Sequence, residues 1–141
     1  MSNMDKNKFT IVVLDDNAFY NDILTKRIKS YTDMLSFAFN KDYKFDLQSY
    51  TSATDCIRNL KKDTDIFFID YFLDNKINAS DLLAKIQNKC WHCKVVVISN
   101  TKSIGAILQV LEEDTITFIY KDEDAFSKSC MIVDEIVSSR N

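Results

Sequence analysis

The chain has 141 residues, the size of one ordinary domain, and its 46% hydrophobic and 12% aromatic content is ample for a buried core and too apolar for disorder. A formal net charge of -3 and a pI of about 5.1 supply no field that would draw nucleic acid or an anionic membrane. No apolar run reaches the roughly 18 residues of a spanning helix, and the opening MSNMDKNK lacks the apolar stretch of a signal peptide, so a cytoplasmic protein without nucleic-acid or membrane partners is expected.

Phe9–Leu14 opens the ordered pattern as a continuous apolar strand, FTIVVL. A long helix is predicted next, with Tyr20, Leu24, Ile28, Tyr31 and Leu35 on one face. A second strand spans Lys44–Tyr50, and Ala53, Cys56, Ile57 and Leu60 form the stripe of a helix whose start is marked by TSATD. The third strand, Asp65–Asp70, leads through NASD, a second helix-start signal, to a stripe of Ala79, Leu82, Leu83 and Ile86. Lys94–Ser99 is a fourth strand; Ile104, Ile107, Leu108 and Leu111 repeat the helical spacing. The fifth strand, Thr115–Tyr120, precedes a last stripe of Phe126, Cys130, Val133 and Val137. Strands that are apolar without alternation are those covered on both faces, as in a parallel sheet. Strand–helix alternation five times over predicts a doubly wound α/β domain, a five-stranded parallel sheet with helices on both sides. The whole chain, 1–141, reads as one domain with an ordered core of about 9–137.

Cysteines do not suggest a metal or redox centre. Cys56 and Cys130 fall at apolar helix positions, where a thiol packs as a small hydrophobe. The CWHC run (Cys90 to Cys93) has no second ligand cluster to complete a zinc site, and His92 is the sole histidine. It also precedes a strand instead of opening a helix, unlike a thioredoxin-type pair. A packed loop with Trp91 docked is the expectation. With one glycine and no proline, the turns must rely on Asn and Asp.

In a doubly wound sheet, function gathers beyond the carboxyl ends of the strands. The first strand ends on Asp15 and Asp16, the third on Asp70, the fourth on Ser99 with Asn100 and Thr101 after it, and the fifth on Lys121. Each alone has an ordinary explanation as a helix cap or a solvated charge. Their coincidence at four strand ends points to chemistry. Three carboxylates in one crevice repel one another, and a hard divalent cation, Mg²⁺ or Mn²⁺, relieves that repulsion through oxygen ligands. An ammonium and a hydroxyl beside them suit phosphoryl oxygens, and a carboxylate such as Asp70 can act as the nucleophile.

In these residues, from Phe9 to about Val137, the sequence resembles the receiver domain of two-component response regulators, a flavodoxin-like (βα)5 architecture. The resemblance implies that Asp15 and Asp16 are the metal-binding pair and Asp70 the phosphoacceptor, with the Phe72 backbone carbonyl as a further metal ligand. It makes Ser99 the hydroxyl that moves onto the phosphoryl group, Lys121 the lysine that binds it, and Phe118 the aromatic whose rotamer follows the switch. Ser99 follows Asp70 by 29 positions and Lys121 follows Ser99 by 22, as the family leads one to expect. The implied partners are a histidine kinase or phosphotransfer protein and a downstream target or output domain, with a homodimer as a further form. Such a protein catalyses only its own phosphotransfer and dephosphorylation.

Departures from the family pattern are Asp74 where proline is common, Asn78 where glycine is common, Asn100 where a small residue is typical, and Asp122 where proline usually follows the lysine. At Asp122 a trans peptide is expected, because a non-proline cis bond costs roughly 2.5–4 kcal/mol. Asn78 can supply the left-handed backbone in place of glycine. The stretch from Ile28 to Lys44 is about ten residues longer than a minimal receiver needs, a length tolerated at a surface connection. These departures motivate an alternative, a degenerate receiver acting as a phosphorylation-independent interaction module. A haloacid-dehalogenase-like phosphatase fits less well, because it needs an acid two residues after the nucleophile, where this chain has Phe72.

Overall fold

Five strands pair in parallel in the order β2-β1-β3-β4-β5: β1 is Lys8–Leu14, β2 Lys44–Tyr50, β3 Ile66–Asp70, β4 Lys94–Ser99 and β5 Ile116–Tyr120. The structure is a computed structural model that describes residues 7–70, 79–90, 92–100 and 116–140. Its helices are α1 Ala18–Ala38, α2 Ala53–Arg58, α3 Ala79–Lys89 and α4 Ala125–Ser139. The predicted stripe from Ile104 to Leu111, together with Phe72, Asp74, Asn78, Trp91 and Thr101, lies outside the described residues.

The central strands carry the apolar runs because both faces of the sheet are covered. Successive residues of a strand point to opposite faces. Ile11 and Val13 of β1, Phe68 of β3 and Ile98 of β4 join Leu24, Ile28 and Leu35 of α1 and Val133 and Val137 of α4 in one cluster. Val12 and Leu14, Phe67 and Ile69, and Val95 and Val97 join Cys56 of α2 and Leu82, Leu83 and Ile86 of α3 in the other. Burying each such side chain contributes about 1.5–3 kcal/mol before the entropy of ordering is counted. β2 is different. It lies at the edge of the sheet, and its Lys44, Asp46 and Phe45–Leu47 pattern alternates between exposed and half-buried, as a strand with one covered face should. Charges on such an edge also discourage pairing with another chain.

Helix boundaries have local causes. Asn17 caps α1, its side chain accepting a hydrogen bond from the Tyr20 amide at 3.0 Å. Ser52 caps α2 by accepting from the Asp55 amide at 3.3 Å. That helix stops at Arg58, earlier than the stripe to Leu60 suggests, yet Leu60 is still buried in the α2/α3 cluster. The added length after Ile28 goes into α1, which runs 21 residues. The turn after it uses Asn40 in the left-handed region, φ 50°, a place where asparagine substitutes for glycine.

β1 connects outward to β2, and the chain then crosses back to β3 on the other side of β1. The strand order therefore reverses between β1 and β3, and a crevice opens beyond their carboxyl ends. Asp15 follows the last residue of β1, and Asp70 is the last residue of β3.

Candidate functional site

Strand parity decides which side chains meet at that crevice. Asp15 continues the register of Ile11 and Val13, Asp70 that of Ile66 and Phe68, and Lys121 that of Ile119, all on the α1/α4 side. Ser99 continues the register of Val95 and Val97 on the opposite side, where half-buried Phe118 also packs. One slip of register would have sent every one of these groups to the wrong face.

The geometry agrees. Lys121 Nζ lies 2.9 Å from Asp15 Oδ2 and 3.7 Å from Asp70 Oδ2. Asp15 and Asp70 are 3% and 8% exposed, and the lysine side chain is 10% exposed, so the ammonium bridges two acids largely out of water. Buried charges persist only when paired, and this lysine has two partners. Its own amide donates to the Ser99 carbonyl at 2.8 Å, which fixes the end of β5 against the end of β4. Ser99 is fully buried, and β4 pairs Val97 with Phe118 and Ser99 with Tyr120, so the hydroxyl and the Phe118 ring occupy neighbouring positions on one face. Cis peptide bonds are absent among the described residues, so Lys121–Asp122 is trans as expected. Asn100 is exposed.

Oxygen atoms of Asp15, Asp16 and Asp70 lie within 4.8 Å of one another, with Asp16 exposed. Around a cation with metal–oxygen distances of about 2.0–2.1 Å, octahedral ligands stand roughly 3–4 Å apart. The three carboxylates would draw closer together around such an ion. Their donor set is hard and all-oxygen, suited to Mg²⁺ or Mn²⁺ and not to zinc.

Two residues of the site escaped the sequence reading. Asn21, buried on α1, donates through Nδ2 to the carbonyls of Asp15 (3.1 Å) and Tyr50 (2.8 Å). Its Oδ1 accepts from Thr25 Oγ1 at 3.1 Å and from Ser49 Oγ. The Asp15 amide also donates to the Tyr50 carbonyl at 3.1 Å, so one amide side chain ties the ends of β1 and β2 to the first helix. An asparagine spaced with Leu24 and Ile28 on the buried face was the signal. Tyr20, one position earlier, places its ring 4.2 Å from Lys121 Nζ. Burial first, then the charges of Asp15, Asp70 and Asp122, push its phenol up to about 12.

Outside the site, Cys90 and Cys93 are both buried; Cys93 Sγ donates to the Cys90 carbonyl and Cys90 Sγ to that of Thr64. Burial raises both thiols above their ordinary value, the behaviour of packed and not reactive cysteines. No helix among the described residues is long and apolar enough to cross a membrane.

No family model matches the sequence, and no curated protein sequence does. Solved structures do match. The chain is similar to a response regulator receiver protein from Sinorhizobium medicae, with a TM-score of 0.70 and 13% identity over 95% of this chain and 98% of that one. It is similar to a response regulator receiver domain protein from Clostridium thermocellum, with 0.69 and 12% over 94% and 96%. The BeF3-activated DrrB receiver domain superposes with 0.68 and 13% over 93% and 98%. The fold is that of response-regulator receiver domains, in the flavodoxin-like (βα)5 arrangement.

Proposed function

We propose that the chain is a phosphoacceptor signalling switch, and that Asp70 receives a phosphoryl group from a phosphohistidine of a histidine kinase or phosphotransfer protein. The observation that carries this reading is the lysine bridging two buried acids beside a third acid, at the point where strand order reverses. In the transfer, a carboxylate oxygen of Asp70 forms a bond to phosphorus as the phosphorus–nitrogen bond breaks. The electron pair stays on the departing imidazole, and the product is an acyl phosphate on Asp70. Asp15, Asp16 and Asp70 would hold a divalent cation, with the Phe72 carbonyl as a further ligand; when bound, that cation supplies charge neutralisation for the phosphoryl oxygens. Lys121 binds one of those oxygens, exchanging part of its pairing with Asp70 for the new anion.

Ser99 then turns its hydroxyl toward the phosphoryl group, and Phe118, its neighbour on the same face, takes up the vacated space. That rearrangement changes which partner the surface around β5 prefers: a downstream target, an output domain or a second copy of the chain. The whole chain acts as one domain in the cytoplasm, and its chemistry is confined to its own phosphorylation and dephosphorylation.

The test is incubation with Mg²⁺ and a small acyl-phosphate donor, read by intact mass. One phosphoryl group is expected on the wild type and none on Asp70→Asn. An unmodified wild type would leave only the interaction-module reading, and equal modification of Asp70→Asn would move the acceptor elsewhere.

A further inference from the structure

Lys121 has a third neighbour besides its two acids. The Tyr20 ring lies with its centroid 4.2 Å from the ammonium, inside the range of about 6 Å in which a cation is attracted to a ring face. The same ring stacks on Phe126 of α4, centroids 5.2 Å apart and planes 29° from parallel, and the Arg27 guanidinium lies 5.6 Å over Phe126. Tyr20 is therefore fixed in orientation by the second helix that flanks the site. Its backbone is fixed as well, since its amide donates to the Asn17 cap two residues after Asp15.

The ring face, not the hydroxyl, makes the contact with the lysine; the hydroxyl is buried and has no hydrogen-bond partner among the described residues. The phenol also stays neutral beside the acids, because burial and their charges oppose its ionisation, so it adds no fourth negative charge.

We infer that Tyr20 is a positioning residue: its ring holds the Lys121 ammonium at the mouth of the carboxylate cluster, where it meets the incoming phosphoryl oxygens. The inference rests on the phosphoacceptor reading for its functional consequence, whereas the contact itself can be tested without it. A lysine carries a long flexible stem, and two acids can draw its head inward. The ring adds a third, directional restraint from the helix side. Pre-orientation of this kind lowers the barrier by removing a search the lysine would otherwise make during transfer.

The experiment has two readouts on the full chain. In the first, the Lys121 Cε protons are followed by NMR, because protons over an aromatic face are displaced upfield. The displacement is expected in wild type and Tyr20→Phe, and is lost in Tyr20→Leu and Tyr20→Met, the last being an unbranched side chain chosen to fill the same space with little strain. In the second, the rate of Mg²⁺-dependent phosphorylation by an acyl phosphate falls about two- to thirtyfold in Tyr20→Leu, the range set by the strength of a cation–ring contact. Tyr20→Phe restores it, and in a Lys121→Met background Tyr20→Leu adds no further loss. Unchanged Lys121 signals in both Tyr20→Leu and Tyr20→Met would overturn the inference. So would a Tyr20→Phe protein as slow as Tyr20→Leu, or a full additional loss in the Lys121→Met background. If the wild type accepts no phosphoryl group, the functional reading fails and the NMR comparison alone decides the positioning role.

Discussion

At the scale of single residues, Asn21 bears most directly on where the acids stand. Two backbone carbonyls, those of Asp15 and Tyr50, receive its amide hydrogens, and two hydroxyls donate to its oxygen. All four bonds are at least partly removed from water, where a lost partner costs more than a made bond gains. Asn21→Leu keeps the branched shape and heavy-atom count and removes every one of them. The expected result is a loss of about 1–3 kcal/mol, seen as a lower urea midpoint at unchanged slope. An unchanged midpoint would mean that the carbonyls find other donors and that the Asp15 backbone is held by the sheet alone.

Among the elements, α4 is anchored at both ends by contacts that no periodicity foretells. At its amino end Phe126 stacks on Tyr20. Just past its carboxyl end Arg140 donates to the Lys8 carbonyl at 2.9 Å, lies 4.3 Å over the Phe9 ring and pairs with Asp65. Asp65 in turn accepts from the Thr10 amide at 2.8 Å, so one guanidinium joins the last helix to the starts of β1 and β3. Arg140→Ala is expected to cost about 1–3 kcal/mol, discounted because the arginine is partly exposed. Arg140→Lys should recover little, since an ammonium cannot reproduce the planar fork over the ring. Full recovery by lysine in a thermal melt would reduce the contact to simple charge pairing. Such anchors also mark the limit of what was legible beforehand. The three central strands are readable because both their faces are covered and their sequences are continuously apolar, and Asp15, Asp70 and Ser99 because they stand at the ends of those strands, as Lys121 does at the end of β5. The contacts of Tyr20 and Arg140 are not, because each acts on a partner far away along the chain that only the completed sheet brings near; Asn21 shows only as a polar residue on the buried face of its helix, without the carbonyls it serves. The short α2 was over-read for a related reason: Leu60 is buried by the cluster beneath it, whether or not the helix reaches it.

Across the whole molecule, the sheet divides the candidate site residues between its two faces. Asp15, Asp70 and Lys121 continue the register of the α1/α4 side and Ser99 with Phe118 that of the α2/α3 side, so the crevice is where the two packed layers meet. A cation bound by Asp15, Asp16 and Asp70 would join the end of β1 to the end of β3, strands that are neighbours in the sheet but far apart in sequence. Because those ligands converge only in the folded chain, binding must raise stability by mass action. At about 100 times the dissociation constant the gain is roughly 2.7 kcal/mol, or a rise in melting temperature of roughly 5–10 °C for a domain near this size. Mg²⁺ should produce that rise and a chelator should reverse it. Asp16 is the informative residue to change, because it is exposed and its removal leaves the core untouched. Asp16→Asn should melt within a degree or two of wild type without metal, since exposed substitutions rarely exceed about 0.5 kcal/mol, and should lose most of the Mg²⁺-induced rise. An equal rise in both proteins would place the cation somewhere other than the three carboxylates. The proposed transfer to Asp70 would then lack the charge neutralisation that three converging acids require.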